Sequence, residues 1–83
     1  MDGDFRIRDA YKTFGDRLRQ ALEDHGYTQA SFCQTVAISQ DSLNCYVNGR
    51  RYPSLQVVLR FIEFLPGVDV TWLVTGQFEE ERI

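Results

Sequence analysis

The sequence predicts an all-α fold of five short helices around one core, with a helix-turn-helix at its centre. Three observations predict it. Apolar residues recur at i, i+3, i+4 and i+7, the spacing that puts them on one side of a helix. Residues that cap helices and glycines that stop them alternate along the chain. Residues 28–54 read as a helix, a tight turn, a second helix and a Gly-Arg-Arg-Tyr-Pro exit.

Taken in order, Phe5 and Ile7 alternate with Arg6 and Arg8. That suits a short strand, an ordered arm or a flexible tail, so residues 1–12 are read as an N-terminal arm. The first clear helix is expected over residues 13–25. Thr13 with Asp16 resembles a capping box, and Phe14, Leu18, Ala21 and Leu22 form its inward stripe. Gly26 suits a left-handed stop. Thr28 caps a second helix ending near Val36, with Phe32, Cys33 and Val36 inward. Ala37-Ile38 is the turn. Ser39 caps a third helix over residues 40–48, ended by Gly49.

Leu43, Tyr46 and Val47 make the apolar side of that third helix. Asp41, Asn44, Cys45 and Asn48 make the opposite stripe, with Gln40 at its N-terminal end. An outward face of short amides, a carboxylate and a thiol, without long charged residues, suits base edges or a docked partner. Pro53 and Ser54 start a fourth helix over residues 55–64, with Val58, Leu59, Ile62 and Leu65 as its expected buried side. Asp69 caps a short fifth helix that runs through Trp72 and Leu73 to Thr75 and is closed by Gly76.

Bulk properties bound the function. Eighty-three residues make one small domain with a modest core. A hydrophobic content of 43% with 25% charged residues is that of an ordinary folded chain. No apolar run reaches bilayer length, and MDGDFRIRD does not read as a secretory signal, so a cytoplasmic location is expected. Cys33 and Cys45 lack CxxC spacing, and His25 completes no familiar metal site with them. With no Gly-rich phosphate loop and no nucleophile beside a base, neither an enzyme nor a cofactor is expected. No small-molecule ligand is evident.

The net charge of −3 is low for a nucleic-acid binder, but its distribution is uneven. Glu79, Glu80 and Glu81 sit in residues 77–83, read as an acidic tail or linker stub. Arg50 and Arg51 sit in the central module.

The chain resembles the lambda-repressor-like helix-turn-helix family, also called XRE-type. Thr28-Gln29, Phe32, Ile38-Ser39, Leu43, Asn48-Gly49 and Pro53-Ser54 carry the resemblance without a gap, and it extends over about residues 14–76. The ending Trp72-Leu73-Val74-Thr75-Gly76 is similar to that of short phage-type repressors. The resemblance implies a five-helix DNA-binding domain and a transcriptional regulator of operator DNA, probing the major groove with residues 40–48. It implies base contacts from Gln40, Asp41, Ser42, Asn44 and Cys45. It implies phosphate contacts from Thr28, Gln29, Asn48, Arg50 and Arg51. Each also has a plainer reading as a polar helix start or a solvated charge.

A homodimer, formed in solution or on DNA alone, is expected through Val70, Trp72 and Phe78, since tryptophan is enriched at interfaces. Two departures from the family stand out. Ala37 occupies a position where the family usually has Gly. Leu22 and Val47 replace its Arg–Glu pair with apolar residues. The alternative class is a protein-interaction module of the same fold, such as an antitoxin or anti-repressor partner, which the low charge and Asp41 favour.

Overall fold

The computed structural model describes residues 3–76, with side chains from residue 14 onward. The elements are α1 (Gly3–Asp24), α2 (Gln29–Val36), α3 (Gln40–Val47), α4 (Leu55–Glu63) and α5 (Val70–Thr75). The described residues are all-helical, as the patterning predicts.

The start of α1 differs from expectation. The helix begins at Gly3, so residues 3–12 continue it and form no strand. Thr13 lies inside the helix and starts nothing. Ile7, Ala10, Tyr11, Phe14 and Leu18 are spaced i, i+3, i+4, i+7 and i+11, which extends the helical period upstream. No proline interrupts it. Asp16 takes no capping role and instead lies 3.7 Å from Arg19.

One core joins all five helices. Phe14, Leu18, Ala21 and Leu22 of α1 meet Phe32, Cys33 and Val36 of α2 and Leu43, Tyr46 and Val47 of α3. Phe61, Leu65 and Leu73 close it from the C-terminal side. Burial of each such large side chain stabilises the fold by about 1.5–3 kcal/mol. Phe32 lies at the centre of an aromatic cluster, its ring 4.9 Å from Tyr27 and 5.3 Å from Phe61. Leu22 and Val47 are both buried, so the family's ion-pair positions are filled here by core residues.

The inward stripe of α4 is Val58 and Phe61, continued by Leu65 in the turn that follows the helix. The spacing predicts Leu59 in it, but Leu59 is 55% exposed, with Leu55 exposed one turn earlier. The residues at 58, 61 and 65 point one way, and 55 and 59 fall well round the helix from them.

Two polar clamps fix the ends of the domain. Arg17 of α1 donates from Nε to Leu73 O at 2.9 Å and from Nη2 to Val74 O at 3.1 Å, satisfying carbonyls at the end of α5. Tyr52 Oη donates to the same Val74 carbonyl at 3.2 Å. At the other end His25 bridges α1 and the turn before α5. Its Nδ1 is 2.8 Å from Ala21 O and its Nε2 is 2.8 Å from Pro66 O. Both partners are acceptors, so both ring nitrogens donate when the ring is an imidazolium. The Pro66 carbonyl first, and the Ala21 carbonyl second, push the His25 pKa above its ordinary value.

Candidate nucleic-acid interface

The candidate interface comprises the start of α2, α3, and the loop that leaves α3. Thr28 opens α2 with a reciprocal cap. Its Oγ1 accepts from the Ser31 amide at 3.0 Å, and its own amide donates to Ser31 Oγ at 3.0 Å. Thr28 and Gln29 are both exposed at this helix start.

The turn depends on one unusual backbone. Ala37 has φ 61 and ψ 51, in the left-handed region. The Cβ makes that conformation costly, by roughly 1 kcal/mol relative to Gly. Ser39 then caps α3, its Oγ accepting from the Ser42 amide at 3.1 Å. Cys33 ties the two helices together across the turn, its Sγ donating to Ser39 O at 3.7 Å. Burial pushes the Cys33 thiol up in pKa, which keeps it a protonated donor.

α3 has two faces. Leu43, Tyr46 and Val47 are buried, which fixes the helix's rotation about its axis. Gln40, Asp41, Asn44 and Asn48 are exposed on the other side, with Ser42 and Cys45 half-buried beside them. Asn48 Nδ2 donates to Asn44 Oδ1 at 2.9 Å. This bond orients the Asn44 amide so that its NH2 donors and one lone pair remain for another partner. Ser42 Oγ accepts from Ser39 Oγ at 3.0 Å, so Ser42 is partly committed to the cap.

The exit loop carries the charge. The Arg50 amide donates to Cys45 O at 2.9 Å, wrapping the chain tightly past the helix end. Arg50 and Arg51 are exposed. The Arg51 guanidinium lies over the Tyr46 ring at 5.7 Å from its centroid, a cation–π placement that restrains the side chain.

α1 supports this unit from behind. A Cβ on Gly15 would lie 2.4 Å from Val47 O and 2.7 Å from Tyr46 O, so a residue without a side chain is required for α1 to approach the end of α3. Arg19 Nη2 donates to Val47 O at 3.3 Å. Arg60 Nη2 of α4 donates to Val36 O at the end of α2. Sequence reasoning misses Arg19 and Arg60. Their partners are backbone carbonyls of other helices, and no residue spacing encodes such a contact.

Helix, fixed-length turn, helix and capped exit are thus all present in order. The helix-turn-helix domain family matches residues 13–71, more than half of the chain. The chain belongs to the helix-turn-helix domain family. A helix-turn-helix is a DNA-binding unit. Neither a curated protein nor a solved structure matches the chain. Among the described residues no group of His, Cys, Asp and Glu could hold a metal ion, and no helix is long and apolar enough to cross a membrane.

The structure brings the ten expected DNA-contacting residues to the start of α2, the outward side of α3 and the exit loop. Val70 is 43% exposed, with Val74 one turn on at 37%. Trp72 is half-buried and packs at the edge of the core. It also lines a cavity of about 300 Å3 with His25, Val68 and Asp69. Phe78 lies outside the described residues.

Proposed function

We propose that this helix-turn-helix chain is a sequence-specific transcriptional repressor that acts in the cytoplasm and reads operator DNA with α3 in the major groove. The observation that carries this reading is the two-sidedness of α3. Three apolar residues lock one side into the core, and Gln40, Asp41 and Asn44 stand exposed on the other. Their chemistry matches base edges: a Gln or Asn pairs with adenine through acceptor and donor together, and an Asp accepts from cytosine N4. Half-buried Cys45 supplies an apolar contact for a thymine methyl. Thr28, Gln29, Asn48, Arg50 and Arg51 flank this row and take phosphates on either side.

Two copies bind one palindrome. A single half-site offers few cations, so doubling the contacts is the simplest route to useful affinity. The exposed Val70 and Val74 of α5 supply a small apolar patch, which suits an association too weak to persist without DNA.

Selection of bound duplexes from a random pool tests the reading. A palindrome with half-sites about 10 bp apart, occupied by two chains in native mass spectrometry, is the expected result. Recovery of unrelated sequences would end the proposal and favour a protein-interaction role. A single chain per palindrome would end the dimer.

A further inference from the structure

The two helices of the motif lack something that other helices commonly carry. Neither α2 nor α3 has a basic residue in its last turn, so neither supplies a cation for the negative end of its own dipole. Each receives one from a helix outside the motif. Arg60 of α4 donates to Val36 O, the last residue of α2. Arg19 of α1 donates to Val47 O, the last residue of α3. Asp16 Oδ1 lies 3.7 Å from Arg19 Nη1 on the exposed side of α1.

Both contacts fall on helix ends, where they have the greatest leverage over tilt. The eight residues of α3 span about 12 Å, so a tilt of about 5° about its C-terminal end moves Gln40 by about 1 Å. A hydrogen bond to a base edge does not survive a shift of that size unweakened. The buried residues Leu43, Tyr46 and Val47 set the rotation of α3 about its axis. The bond from Arg19 adds a directional, charge-assisted restraint on one carbonyl at the C-terminal end of α3.

We propose that Arg19 and Arg60 are positioning residues for sequence reading, which pin the C-terminal ends of α3 and α2 and so set the angle at which α3 meets DNA. This role presupposes that α3 reads DNA. It assigns the two arginines to protein carbonyls and leaves phosphate neutralisation to Arg50 and Arg51.

The test uses Arg19→Met and Arg60→Met, which keep an aliphatic stem and remove the cation, beside Arg19→Lys and Arg60→Lys, which keep the charge. Each is titrated against the duplex selected by the wild-type chain and against random duplex, over a range of salt and well below its melting temperature. Each Met variant should lose about tenfold on the selected duplex, the worth of one weakened base contact. Its binding to random duplex and its salt slope should stay as in the wild type, and the Lys variants should recover part of the loss. Where a Met variant does not fold, the Lys variant carries the same comparison. An equal loss on both duplexes with a shallower salt slope would make the arginine a phosphate contact and overturn the proposal. An unchanged ratio between the duplexes in a folded variant would overturn it too, while leaving the DNA reading intact. A wild-type chain that selects no sequence would remove both.

Discussion

Ala37 and His25 show how single residues set the energetics of this domain. Ala37 holds the left-handed backbone of the turn with a Cβ that opposes it. Ala37→Gly should therefore stabilise the chain by about 0.5–1 kcal/mol, the relief of left-handed strain less the added freedom of glycine in the unfolded state. A urea titration should show a higher midpoint with an unchanged slope, and a lower midpoint would contradict the assigned turn. His25 couples folding to pH. Its folded pKa lies above its unfolded value of about 6.5 because two carbonyls favour the imidazolium. The stability it contributes is full below the unfolded pKa and is lost as pH rises through the folded one. Between about pH 5.5 and 8.5 the melting temperature of the wild type should fall relative to that of His25→Gln. Parallel curves for the two proteins would show that the bridge to Pro66 contributes nothing.

At the scale of elements, α1 comes close to the end of α3 at Gly15. A methyl group there meets two backbone carbonyls that cannot rotate away. Gly15→Ala should destabilise the chain by about 1–3 kcal/mol, the usual cost of overpacking, despite the better helix propensity of alanine. An unchanged or raised melting temperature would mean that α1 and α3 are not seated as described. Gly15 reads in the sequence as an indifferent residue in a helix, because its role lies in an approach to a distant backbone. Residues 28–54 are legible for the opposite reason. Thr28, Ser39 and Ser54 cap helices through bonds to residues three positions on, and local spacing encodes local bonds. The stripe on α4 is legible only in part. Leu59 is apolar and correctly spaced from neighbours that do turn inward, so only the tertiary packing of Val58, Phe61 and Leu65 tells the two sides apart. The start of α1 misleads because Phe5 and Ile7 imitate a two-residue alternation, while the helical spacing from Ile7 to Leu18 is the longer pattern.

Across the whole molecule, the distribution of cations matters more than the net charge of −3. Arg17, Arg19 and Arg60 each donate to a carbonyl at the end of another helix, so part of their hydrogen-bonding capacity is spent within the fold. Arg50 and Arg51 sit exposed beside the proposed reading helix. Replacing both with Ala should weaken binding on every DNA sequence and lower the salt slope by roughly 0.9 for each phosphate no longer neutralised. Binding to random duplex across a salt series measures this, and an unaltered slope would place the two arginines outside the footprint. On the proposed function, an acidic chain with so small a basic patch would draw its selectivity from base contacts and from the number of chains bound.

Everything proposed for this chain depends on the outward side of α3 reading bases. Gln40 stands at the exposed N-terminal end of that helix and takes no part in the caps of Thr28 or Ser39. The most direct measurement compares Gln40→Ala with the wild type on the selected duplex, on that duplex with each base pair changed in turn, and on random duplex. Base reading by α3 predicts a loss of about 1–3 kcal/mol on the selected duplex, relaxed preference at one position in each half-site, and binding to random duplex nearly intact. An equal loss on selected and random DNA, or no loss on either, would contradict it.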